Sequence, residues 1–169
     1  HATIRRQRQM CIRDRYSEGT FVLNAERAML STQYAKDSFK QLEEDSDFIA
    51  DRERLELLQA EGQELIEQFQ QDIETLSDEQ KVDMQKKVQD KQNEIQFLAN
   101  KLQTKAQEAQ QAVINDLSED FNRILGELIN AKNMDMVVSP QALFYANPDL
   151  DITDEVTALL DVALADKSE

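Results

Sequence analysis

The densest set of groups able to do chemistry is Asp149-Leu150-Asp151-Ile152-Thr153-Asp154-Glu155, with four carboxylates in seven residues. Clustered carboxylates are hard oxygen donors of the kind calcium takes. An EF-hand loop, however, needs glycine at its sixth position and a bidentate glutamate at its twelfth, and this segment has neither. The segment therefore reads as a turn leading into a helix, with Thr153 as the cap. Ser139 has no base to activate it, because His1 is the only histidine and lies far away at the chain start. Cys11 is the only cysteine, so no intrachain disulfide and no Cys/His metal set can form. Three glycines cannot build a Walker loop or another phosphate cradle. The remaining carboxylates are dispersed along polar helix faces, where they serve solubility. The expectation is a non-enzyme with no catalytic residue, no metal site and no cofactor.

What these residues leave is an architecture without a reaction. With three Gly, two Pro, no Trp and abundant Gln, Glu, Asp, Ala, Leu and Lys among 169 residues, the composition is that of long helices. Only 6% of residues are aromatic while 31% are charged, so a thick single core is excluded and an elongated, mainly α structure is expected. No apolar run approaches the ~18 residues that a membrane span requires. The net charge of −15 is uneven: residues 1–19 carry +3 and residues 20–169 carry −18. Such a polyanion repels nucleic acid and anionic lipid within about 8 Å at physiological salt. Nucleic acid is not an expected partner of the body.

Between Ala25 and Asn133 there is no proline, and Gly62 and Gly126 are the only glycines. A helical region that long must fold back or form a coiled coil. Leu55, Leu58, Gly62, Leu65, Phe69, Ile73 and Leu76 recur at spacings of 3, 4, 3, 4, 4 and 3, forming one stripe that only the glycine interrupts. A second stripe runs from Met84 and Val88 through Lys91, Ile95, Leu98 and Leu102 to Val113, Leu117, Phe121, Ile124 and Leu128. Ser77-Asp78-Glu79-Gln80 between them has the capping-box pattern, which predicts the turn of an antiparallel helical hairpin near Ser77. A lesser break is expected at Asp45-Ser46-Asp47, where short polar side chains can cap a helix. Lys81, Lys86, Lys87, Lys91, Lys101 and Lys105 concentrate the body's cations on the second helix. The ordinary role of that concentration is a solvated, salt-bridged face; the functional one is a less negative tip able to meet a partner or a membrane. Lys91 and the surrounding glutamines weaken the seam toward the tip, and poorly packed arms flex.

The hairpin returns the chain to its start. Thr20-Phe21-Val22-Leu23-Asn24 and Met134-Asp135-Met136-Val137-Val138-Ser139 read as strands that can pair. Pro140 then suits the first turn of a short helix capped by Ser139 and containing Ala142, Leu143 and Phe144. A final amphipathic helix follows Thr153. The expected organisation is an α/β body from residues 20–44 and 118–169, interrupted by a helical-hairpin arm over residues 45–117. Because two strands alone are marginal, self-assembly is expected to complete the body through Phe21, Val22, Leu23, Met136, Val137, Val138 and Leu143.

Two segments carry a resemblance. Met134-Asp-Met-Val-Val-Ser-Pro-Gln-Ala-Leu-Phe-Tyr-Ala-Asn-Pro-Asp-Leu-Asp-Ile-Thr-Asp-Glu-Val156 resembles the C-terminal signature of the Skp/OmpH family, and Phe21-Val-Leu-Asn-Ala-Glu-Arg-Ala-Met-Leu30 resembles its opening strand and helix. The resemblance spans residues 20–164, and its two ends are the most specific parts. It implies a homotrimer whose strands build a shared body and whose hairpins surround a cavity. It also implies a periplasmic, ATP-independent holdase that keeps unfolded outer-membrane β-barrel proteins from aggregating. On that reading the client contacts are Phe69, Ile73, Leu76, Met84, Val88, Ile95 and Leu98, although each also suits packing of the hairpin itself. The well-known members are basic and this body is acidic, so membrane contact stays an open expectation. The rival is a structural coiled-coil scaffold without chaperone activity.

Residues 1–19 oppose the rest in charge and lack helical period. They read as a basic nucleic-acid or lipid arm, as a disordered tail, or as a non-native segment. Met10-Cys11-Ile12-Arg13-Asp14 resembles a translated sequencing-library adapter, which would have replaced a natural start including a signal peptide.

Overall fold

Short polar side chains decide where this chain's helices begin. In the computed structural model, which describes residues 19–167, the side chain of Asn24 accepts from the Arg27 amide and opens α1 (Ala25–Leu30). Thr32 then breaks what composition alone reads as one continuous helix. Its hydroxyl donates to the Met29 carbonyl and accepts from the Ala35 amide, closing α1 and opening α2 (Gln33–Glu44). Asp45 accepts from the Phe48 amide at 2.9 Å and starts α3 (Ser46–Asp72). Ser77 and Gln80 exchange reciprocal hydrogen bonds of 2.9 and 3.3 Å, the two halves of a capping box, and α4 (Asp78–Lys132) follows. This helix ends with Asn133 at φ 49°, while the Met134 amide reaches back to the Ile129 carbonyl. That is a Schellman ending, with asparagine taking the left-handed position it tolerates better than most residues.

Two strands flank the helical stretch: β1 (Thr20–Val22) and β2 (Met136–Val138) pair in parallel, with Phe21 opposite Val137 and Val22 opposite Val138. On its other edge β1 takes a single parallel bridge between Val22 and Asp151, and the Ile152 amide donates to the Val22 carbonyl. The final helix, α5 (Thr153–Lys167), follows at once.

Two compact units result. One contains, among the described residues, 19–38 and 110–167; the other is Phe39–Ala109. The first has a core in which Val113, Leu117, Val156 and Leu160 are essentially inaccessible, and Ala28, Met29, Phe121, Ile124, Leu128 and Ile152 are buried as well. In the second unit only Leu58, Gly62 and Leu98 are buried among the described residues. There ion pairs add to the few apolar links between α3 and α4. Lys105 pairs with Asp45, Lys101 with Asp51 and Lys91 with Glu61, so partners descend along α4 as they ascend along α3.

Two expectations need correction. Residues 140–142 form only a single 3-10 turn, because the Ser139 hydroxyl bonds Gln141 instead of capping an amide and Leu143 is already extended. Thr153 does not cap α5. Its hydroxyl accepts from the Asn24 amide across the fold, while Asp151 accepts from the Thr153 amide. The reading of residues 1–18 lies outside the described residues.

Candidate functional site

A groove opens in the Phe39–Ala109 unit between the end of α3 and the first turns of α4. Ile66, Phe69 and Ile73 line one wall and Val88 the other, around a cavity of about 460 Å³. Helical geometry places them together, since positions i, i+3 and i+7 share a face. The same periodicity brings Gln70, Gln85, Gln89 and Gln92 to the groove. An amide side chain both donates and accepts, so this rim can hydrogen-bond a peptide backbone without demanding a particular sequence. The volume falls within the ~300–1,000 Å³ range of binding clefts.

Of the residues expected to meet a client, Phe69, Ile73 and Val88 converge on this groove. Ile73 is 42% exposed, and Phe69, Leu76, Met84, Val88 and Ile95 are half-buried. Leu98 is different: at 8% exposure its side chain is spent on the seam. Sequence periodicity passes over Leu57, Val82 and Phe97, all exposed, with Phe97 at 71%. They lie off the stripes, and their only signal is an isolated apolar residue on a polar face.

Below the groove, one contact sets the spacing of the helices. A Cβ on Gly62 would lie 3.3 Å from both Lys91 Cγ and Ile95 Cδ1, so glycine makes room for the lysine stem. The Lys91 ammonium then reaches Glu61 at 2.9 Å and Glu94 at 3.9 Å. A lysine on an apolar stripe is thus accommodated by burying its methylenes and pairing its head. Lys91 also holds the Glu61 carboxyl below its ordinary value. Farther along, Lys101 Nζ lies 2.8 Å from both oxygens of Asp51, and Lys105 Nζ lies 3.7 Å from one of them. Lys101 is the main cause of the lowered Asp51 pKa.

The residues expected to build the assembly body lie in the other unit. Val22 and Leu23 are buried; Phe21, Val137 and Val138 are half-buried; Met136 and Leu143 are exposed. Phe21 lies beneath the Lys132 ammonium, 5.9 Å from ring centre to Nζ, in cation–π range. Beside Leu143, the aromatic rings of Phe144 and Tyr145 stand in solvent, at 112% and 83% exposure.

The carboxylates of 149–155 are dispersed among separate tasks. Asp151 accepts from the Thr153 amide, and its pKa is lowered chiefly by the Thr153 side chain, with the amide bond adding to it; Asp154 pairs with Arg27, and Glu155 with Lys132. Among the described residues, no group of three or more His, Cys, Asp or Glu side chains is placed to hold a metal ion. Nor is any described helix long and apolar enough to cross a membrane.

The profile of a family described as outer membrane protein (OmpH-like) matches residues 19–160. No curated protein matches the chain. Among solved structures, one from Caulobacter crescentus CB15, provisionally assigned as an OmpH-like outer membrane chaperone, is 19% identical. The match covers 86% of this chain and 85% of that chain, with a TM-score of 0.48.

Proposed function

We propose that this chain, which belongs to the OmpH-like outer membrane protein family, is an ATP-independent holdase of the periplasm that shields unfolded outer-membrane β-barrel proteins from aggregation. The observation that carries this reading is the groove between α3 and α4, where apolar side chains stay half exposed beside a glutamine rim instead of being sealed into a core. Holding an unfolded chain requires many weak, sequence-tolerant contacts, which such a surface supplies and a deep specific pocket does not.

On this reading the Phe39–Ala109 unit forms an antiparallel arm with its turn near Ser77. Phe69, Ile73, Leu76, Met84, Val88 and Ile95 face the client, while Leu98 holds the two helices together. Residues 19–38 and 110–167 form the body. That body associates into a homotrimer, because two three-residue strands with exposed Met136, Phe144 and Tyr145 leave edge and apolar surface for partner copies. Binding alone performs the task, so no nucleotide, metal or catalytic group is needed.

The test is aggregation of an unfolded outer-membrane barrel protein, followed by light scattering at near-stoichiometric chain, together with mass measurement in solution. A trimer that suppresses scattering is expected. A chain that only spaces partners apart would leave aggregation unchanged, and that result would overturn the holdase reading.

A further inference from the structure

The groove's surroundings have a charge that its apolar lining does not show. From Leu55 to Ser77 there are six carboxylates, Glu56, Glu61, Glu64, Glu67, Asp72 and Glu74, and no Lys or Arg. The facing stretch of α4 does not offset them. Over residues 55–92 ten carboxylates stand against four lysines, a net of −6, and Lys91 is already engaged by Glu61 and Glu94. Glu67 and Glu74 directly follow the groove residues Ile66 and Ile73 in sequence, and Lys86 and Lys87 lie between Gln85 and Val88, all four exposed. On the α3 wall the flanking charge is therefore purely acidic while on the α4 wall it is basic, and the excess of carboxylates belongs to the α3 side.

We infer that this groove takes extended, unfolded segments whose apolar side chains are interspersed with Lys or Arg, and discriminates against acidic segments of the same apolar pattern. The inference rests on the holdase reading and specifies its client chemistry. In an extended segment alternate side chains point to opposite sides. Apolar positions can then enter between Phe69 and Val88 while the intervening ones face the carboxylates. The backbone meets the glutamine rim, where Gln89 already donates to Asn93 and so has part of its amide committed. Charges held within a Debye length of a net −6 surface accelerate association of cations and penalise anions, and salt weakens both effects.

Two extended peptides with identical apolar positions, one with lysines between them and one with glutamates, provide the test by fluorescence anisotropy against the whole chain. At low salt the lysine peptide is expected to bind roughly ten-fold more tightly, with the gap shrinking as salt is raised about ten-fold. The double substitution Glu67→Lys, Glu74→Lys should narrow the gap several-fold. Ile73→Ser, at a solvent-exposed position, should weaken both peptides alike. Equal binding of the two peptides at low salt, an unchanged gap in the charge variant, or no binding of either peptide would overturn the inference. If the chain still suppresses barrel aggregation in those cases, the holdase reading survives and only the charge preference falls. If aggregation also proceeds, both fail.

Discussion

The two units of this chain use the same helix, α4, in different ways. From Val113 to Leu128 its stripe belongs to a buried core, with Leu117, Ile124 and Leu128 at most 7% exposed, and Val156 and Leu160 of α5 in the same unit are fully buried. From Met84 to Leu102 the same stripe leaves its side chains half-buried apart from Leu98, and Lys–Glu and Lys–Asp pairs add to the cross-helix links. Apolar burial contributes about 25 cal/mol per Å², whereas exposed ion pairs contribute ~0–1 kcal/mol each. The first unit can therefore anchor a fold, while the second opens at low cost. Low local stability is what an adaptable binding surface needs.

Substitutions can break that contrast. Leu160→Ala should cost about 2–5 kcal/mol, as expected for a fully buried leucine, and lower the main thermal or denaturant transition. Gly62→Leu forces atoms into space held by Lys91 and Ile95, and overpacking of this kind costs about 1–3 kcal/mol. Its effect should be confined to amide hydrogen exchange over residues 46–109; if the main transition shifts as much as in Leu160→Ala, the units are not energetically distinct. Ser77→Ala removes one arm of the capping box and should cost about 1 kcal/mol, read as faster exchange in the first turn of α4.

The smallest effect is that of acid. Asp51 and Glu61 are held below ordinary carboxylate values by Lys101 and Lys91. Their contribution is complete above the unfolded carboxylate value near pH ~4 and is lost as pH falls through the lowered folded values. Protection factors over 46–109, taken relative to intrinsic exchange, should fall over that acid range while protection around Leu117 persists. Uniform protection of both units at neutral pH would erase the comparison itself.

Much of the groove was legible because it depends on period. Phe69, Ile73 and Val88 lie on stripes that a count of three and four reveals. The burial of Leu98 was not legible, since Leu98 and Ile95 occupy equivalent stripe positions and differ only in what packs above them. Val82 and Phe97 escaped for the opposite reason: an apolar residue off the stripe has no periodic partner to mark it.

Local interactions were available to the sequence alone. The Asp45 cap, the Ser77–Gln80 capping box, the helical character of α3 and α4 and the strand character near Val22 and Val137 each depend on residues a few positions apart. Tertiary structure alone decided the parallel pairing of β1 with β2, the second partner of Val22 at Asp151, and the use of the Thr153 hydroxyl by the Asn24 amide. It also decided that Gly62 accommodates the Lys91 stem. These contacts join groups about 30 to 130 residues apart, and no local propensity encodes them. A backbone amide or lysine head takes whichever acceptor the folded chain presents, because leaving it unpaired in a desolvated position costs more than any local preference returns.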